Sequence, residues 1–192
     1  GLHAIFMDDP TVINNVTNIT GNTFTNLAVV SPVLSLISIQ AFQGSNAIRN
    51  IDSNKTVGTF SFDGAIFEMI TNSGYNGFGL QTSISENEFS NATLKIVEFD
   101  YNYASFITDA NSSKTKKIQH NKANNINQTG GIFLGIFNSE SIVSLTDTSK
   151  ICNNEITNVA VNGLWNFGIF LANSSSCLVS GNKISNLALS RV

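Results

Sequence analysis

Asparagines recur in pairs four residues apart, with an apolar residue between them, along most of the chain. Residues 20–27 read TGNTFTNL, 85–92 SENEFSNA, 152–159 CNNEITNV and 180–187 SGNKISNL. With the first asparagine as position zero, copies begin at Asn22, Asn46, Asn87, Asn121, Asn154 and Asn182. Position +4 is then Asn26, Asn50, Asn91, Asn125, Asn158 and Asn186. Position +2 runs Phe24, Ile48, Phe89, Ala123, Ile156, Ile184, and position +5 runs Leu27, Ile51, Ala92, Ile126, Val159, Leu187. The starts lie 24, 41, 34, 33 and 28 residues apart. A constant motif at variable spacing describes a fixed cross-section joined by loops of different length, the mark of a solenoid.

Short glycine-led apolar runs fall between the copies: GAIF at 64–67, GIFL at 131–134 and 168–171, and GLHAIF at the start. Each reads as a strand after a turn. Positions 0, +2 and +4 share parity and therefore a strand face, whereas the apolar position −3 has the opposite parity. A bend must lie between −3 and 0, where Gly21 and Gly181 stand in two copies. Stacked turns place equivalent residues about 4.8 Å apart. At that spacing each asparagine amide can bond the next, so both asparagine positions are expected to form ladders at the turns. Position +1 alternates in charge through Glu88, Lys122, Glu155 and Lys183, as an exposed face of paired charges would.

The pattern I-x-x-N-x-I-x-N-[LVI] followed by G-I-x-L resembles the parallel β-helix repeats of the pectin-lyase-like superfamily, of the PbH1/NosD type. The resemblance implies an all-β fold, a right-handed parallel β-helix (solenoid) of about six or seven rungs with variable loops, as a single domain over 1–192. It implies little about function, because that superfamily hosts lyases, hydrolases, adhesins and tailspikes. Of the polygalacturonase motifs only Asp8-Asp9 has a counterpart, and it runs into Pro10. Neither His3 nor His120 sits in a Gly-His-Gly, and neither Arg49 nor Arg191 has acids clustered beside it. No catalytic, cofactor or metal residue is therefore expected, and the chain does not read as an enzyme.

Net charge is −3, only 12% of residues are charged, and the densest basic group is Lys114, Lys116 and Lys117. That argues against nucleic-acid binding, which needs a basic surface. No apolar run has the length of a membrane span. The chain opens on Gly1 with no leader pattern, as after signal-peptide removal or as a piece of something longer. Cys152 and Cys177 occupy phases −2 and −5, and both a disulfide and two buried thiols fit them.

Seven Asn-x-Ser/Thr sequons occur. Asn54, Asn111, Asn127 and Asn173 fall in expected loops or turns, where N-linked glycans could attach. Asn18 and Asn91 fall at ladder positions and Asn15 in a poorly matched first copy, so these three are expected to be glycosylated less readily. The expected location is extracellular or at the cell surface.

A solenoid normally carries capping elements, and no cap is recognisable at either end, as in a segment of a longer β-helix or a self-stacking subunit. Gly1, Leu2, Ile5 and Phe6 at one end, and Leu187, Leu189 and Val192 at the other, are the expected end interface. Copies of the chain stacked end to end into a homopolymer are the expected partners. A structural filament or surface-fibre subunit is the favoured reading. A secreted carbohydrate-binding or polysaccharide-cleaving module is the alternative, with Tyr75, Tyr101, Tyr103 and Trp165 as candidate sugar-stacking aromatics.

Overall fold

The computed structural model describes residues 1–7, 16–40, 47–73, 78–97, 101–110, 112–139, 148–173 and 176–190. Eighteen strands follow one another in groups of three, and no helix occurs among the described residues. The first turn is β1 (Leu2–Met7), β2 (Val16–Thr20) and β3 (Thr23–Val30). The second is β4 (Val33–Ile39), β5 (Ile48–Asp52) and β6 (Lys55–Gly64), and the third β7 (Ile66–Asn72), β8 (Phe78–Ser85) and β9 (Glu88–Ile96). The fourth is β10 (Tyr103–Asp109), β11 (Ser112–Gln119) and β12 (Lys122–Thr129). The fifth is β13 (Ile132–Ser139), β14 (Thr148–Cys152) and β15 (Glu155–Asn162), and the last β16 (Trp165–Ala172), β17 (Cys177–Ser180) and β18 (Lys183–Ser190).

Every strand pairs in parallel with the strand three places on, giving three six-stranded sheets. Sheet 1 collects β1, β4, β7, β10, β13 and β16, sheet 2 the strands after them, and sheet 3 the strands after those. The fold is a parallel β-solenoid. Its interior is made by rows of like residues stacked along the axis. Ile5, Ile37, Ile70, Ile107, Ile136 and Ile169 form one row in sheet 1. Ile19, Ile51, Ile84, Ile118, Ile151 and Val179 form another in sheet 2. β-Branched side chains suit a pleated surface buried on its inner face, and each one fully buried is worth about 1.5–3 kcal/mol. Phe60, Phe62, Phe67, Phe89 and Phe106 fill the centre, with ring centroids 5.0–6.4 Å apart.

Sheet 2 turns into sheet 3 at a corner whose first residue is always left-handed: Gly21, Ser53, Glu86, His120, Asn153 and Gly181, with φ between 55° and 67°. This is the bend expected before position zero. A second left-handed row lies four residues after each corner asparagine, at Asn26, Gly58, Asn91, Asn125, Asn158 and Asn186. Asparagine tolerates this conformation better than other side chains, and glycine pays nothing for it.

The structure corrects the alignment of the second turn. Asn54, not Asn46, holds the corner there, so corner asparagines are 32, 33, 34, 33 and 28 residues apart. Asn46 lies outside the described residues. Asn50 belongs to β5 in sheet 2, where its Nδ2 donates to Asn18 Oδ1 at 2.8 Å, and Gly58 takes the second left-handed position instead. The glycine-led runs are also not equivalent. Gly131 precedes β13, but Gly168 lies inside β16, where Ile169 pairs with Ile136.

Candidate functional site

The most heavily satisfied polar feature is the corner ladder. Asn22 N–H and Nδ2 donate to Asn54 Oδ1 at 3.1 and 2.7 Å, and Asn54 donates likewise to Asn87 at 3.0 and 2.9 Å. Asn87 to Asn121, Asn121 to Asn154 and Asn154 to Asn182 repeat the pattern. The amides of Asn54, Asn87, Asn121, Asn154 and Asn182 also donate to a carbonyl of the preceding turn: Ile19, Ile51, Ile84, Ile118 and Ile151 respectively. Four members are essentially buried: Asn54, Asn87, Asn121 and Asn154. Burial without these bonds would be costly, so the ladder fixes which residue turns each corner.

The second ladder is exposed and less regular. Asn125 donates to Asn91 Oδ1 and Asn186 to Asn158 Oδ1, each at 2.8 Å, whereas Asn158 donates to Asn124 Oδ1 at 2.9 Å. Beside it the charge row extends one turn further than expected, as Lys55, Glu88, Lys122, Glu155, Lys183 in direct register. Lys183 Nζ meets Glu155 Oε1 at 2.9 Å. That hydrogen bond, with the charges of Lys183 and Lys122, holds the Glu155 carboxyl below its usual range.

Between sheets 1 and 2 lies a buried ionic network that sequence reading did not assemble. Arg49 Nη1 donates to Asn72 Oδ1 at 2.7 Å, and Asn72 Nδ2 donates to Asp109 Oδ1 at 2.8 Å. Lys116 Nζ forms an ion pair with Asp109 Oδ2 at 2.9 Å, without good hydrogen-bond alignment at that oxygen, and donates to Asn138 Oδ1 at 3.0 Å. Asn72, Asp109 and Asn138 stack in sheet 1, and all five residues are fully buried. Burial pushes the Arg49 guanidinium down to about 10, partly opposed by the charge of Asp109. Thr17, Arg49, Thr82, Lys116, Ser149 and Cys177 form the facing row, five residues before each corner asparagine. Once Asn54 is placed, that phase is the signal that would have found the two cations. Elsewhere Glu68 accepts from Ser35 Oγ at 3.1 Å and from Tyr103 OH at 2.6 Å. Burial, then the charge of Glu68 and its hydrogen bond, raise the Tyr103 phenol well above its usual range.

Asn54 is completely buried as a ladder member, so the folded structure has no room for a glycan there. Asn127 is not in a loop but points outward from β12, and Asn173 occupies an exposed left-handed bend after β16. Asn18 and Asn91 are exposed rather than buried. Asn91 Nδ2 donates to no described residue, because the preceding turn offers Gly58 instead of an asparagine. Asn15 and Asn111 lie outside the described residues. Cys152 and Cys177 are not bonded to each other. Cys177 pairs with Ser149 and Cys152 with Ser180, so they are three positions out of register along neighbouring strands, roughly 10 Å apart. That exceeds disulfide reach.

Of the aromatics, Tyr103 is committed to Glu68 and Tyr101 stands exposed. Trp165 is 56% exposed and stacks on Phe167 at 6.0 Å, and Tyr75 lies outside the described residues. A shallow groove of about 270 Å³ crosses the outer face of sheet 3, lined by Thr93, Asn127, Thr129, Ala160, Asn162 and Ser190 among others. Among the described residues no three of His, Cys, Asp and Glu are grouped as metal ligands, and no helix is long and apolar enough to cross a membrane.

At the two end turns the interior rows lose their cover. Val179 and Ile184 are each 43% exposed, whereas their row neighbours Ile151 and Ile156 are fully buried. Leu2 and Leu189 in these rows are about half exposed, as is Phe6 on the outer face of β1, and Ile5 and Leu187 are partly buried against the core. Gly1 is exposed, and Val192 lies outside the described residues. Compared with known protein families, curated proteins and solved structures, the chain matches none.

Proposed function

We propose that this chain is a structural subunit of an extracellular, N-glycosylated filament or surface fibre, assembling by head-to-tail stacking of its end turns. The observation that carries this reading is the exposure of core rows at both ends. A row residue such as Ile184 has the same environment on its inner side as buried Ile156 and lacks it on the other. Another turn of the same cross-section would bury it, together with the unpaired strand edges that invite pairing. The repeat pattern fits a right-handed coil of the pectin-lyase-like kind, and the outward sequons at Asn91, Asn127 and Asn173 suit a secreted chain.

Sedimentation velocity over a concentration series tests the assembly. The native chain should grow into longer species as concentration rises, while Leu189→Glu, which places a charge on the exposed end face, should stay monomeric. A native chain that remains monomeric at every concentration would overturn the proposal. The alternative reading, a carbohydrate-binding or polysaccharide-cleaving module, draws support from the exposed Trp165 indole beside Phe167. Retention on polysaccharide resins that is lost in Trp165→Ala would favour it.

A further inference from the structure

We infer that one copy joins the next in a single polarity and register, with the last turn of one chain seated on the first turn of another as though the coil continued. This rests on the end-to-end reading above and adds which atoms meet. The corner ladder donates in one direction only, from each asparagine to the one in the following turn. At its start Asn22 Oδ1 accepts no hydrogen bond, and at its finish Asn182 N–H donates none, among the described residues.

The outer ladder runs the opposite way, from later turns to earlier ones. It leaves the mirror-image pair unused: Asn26 Nδ2 at the first turn and Asn186 Oδ1 at the last. Continuing the coil brings Asn182 N–H and its second amide hydrogen onto the next copy's Asn22 Oδ1. The same step brings that copy's Asn26 Nδ2 onto Asn186 Oδ1. One rigid placement satisfies both ladders. Two like faces brought together would set the strands antiparallel and continue neither ladder.

The side-chain rows agree. Ile169 falls on Ile5 and Val179 on Ile19, extending the two aliphatic rows without a break. On the outer face of sheet 1 one row reads Phe6, Ser38, Thr71, Thr108, Phe137, Phe170. Aromatic residues therefore stand at its two ends, and Phe137 and Phe170 already stack at 5.6 Å. Phe6 of the next copy would be the third ring. In the charge row Lys183 falls on neutral Thr23, so no like charges meet.

The same register puts Cys177 one strand spacing from Thr17 of the next copy, because both belong to the row that runs Thr17, Arg49, Thr82, Lys116, Ser149, Cys177. Stacked Cα atoms are about 4.8 Å apart, within disulfide range, whereas within one copy the two positions lie at opposite ends. The test is oxidation of a Thr17→Cys, Cys152→Ala double variant at assembling concentrations, followed by non-reducing electrophoresis and peptide mapping. The expected result is a ladder of oligomers joined between positions 17 and 177. A Thr20→Cys, Cys152→Ala control, three residues along the same strand, should give none. Filaments without the 17-to-177 link would overturn this register while leaving head-to-tail assembly standing, whereas a 177-to-177 link would join two last turns and overturn both. Monomers with no link would overturn both.

Discussion

Asn54 donates its side-chain amide to Asn87 Oδ1 at 2.9 Å across 33 residues of sequence, and Asn87 passes the same bond to Asn121 at 2.9 Å across 34. Each link fixes the length of one turn, since only a residue that can both accept and donate in that buried corner completes it. The consequences of breaking the chain of bonds depend on where it is broken.

Asn87→Ala should cost more than about 3 kcal/mol, because it strands the Asn54 N–H and one Asn54 amide hydrogen and takes the side-chain donor from Ile51 O at a buried corner, at roughly 1–3 kcal/mol for each unsatisfied group. Asn125→Gly, in the exposed outer ladder, should change stability by less than about 1 kcal/mol, since glycine adopts the left-handed conformation freely and Gly58 already holds that place. Denaturant midpoints of the two variants check the contrast.

Asp109→Ala removes the one carboxylate that joins Asn72 and Lys116 in the buried network. Breaking a buried ion pair from one side leaves a charge without compensation and typically costs about 3–5 kcal/mol. Urea denaturation at neutral pH should register a loss of that order, well beyond the effect of removing the exposed partner in Lys95→Ala beside Asp63.

Tyr103 carries a pH prediction. Its phenol is raised above the ordinary tyrosine range by burial and by Glu68, so the folded state holds that proton more tightly than the unfolded chain. Its contribution is complete below the unfolded value of about 10 and declines as pH rises beyond it. Raising the pH from 9 to 11 should destabilise the native chain more than Tyr103→Phe, which has no proton to lose. Equal losses in the two would contradict the assignment.

Glycan mapping of secreted material should find Asn91, Asn127 or Asn173 occupied and Asn54 bare, because Asn54 Nδ2 is spent on Ile19 O and Asn87 Oδ1 inside the fold. A glycan on Asn54 of folded protein would contradict the buried ladder.

The solenoid was legible because its rows repeat in sequence: five of the six corner asparagines and the apolar positions around them stand at the expected phases. The second turn was misread for a physical reason. Asn54 is followed by Thr56 where other turns have an apolar residue or alanine, and by Gly58 where they have asparagine, since either residue suits the left-handed position. Residues 46–51 meanwhile imitate the motif eight positions early. The Arg49, Asp109 and Lys116 network stayed hidden for another reason. Its hydrogen-bonded partners are 22, 23 and 37 residues apart on two sheets, separated by loops whose lengths vary from turn to turn. Exposure of Asn91 was equally unreadable, because the spacing that places it in the outer ladder says nothing about which ladder is buried.

Electron microscopy of the assembled chain, with the axial repeat read from the images, tests the central claim most directly. Six stacked levels at about 4.8 Å predict unbranched filaments with a subunit repeat of about 29 Å. Discrete particles one solenoid long, or filaments whose repeat reflects side-by-side contact, would contradict it.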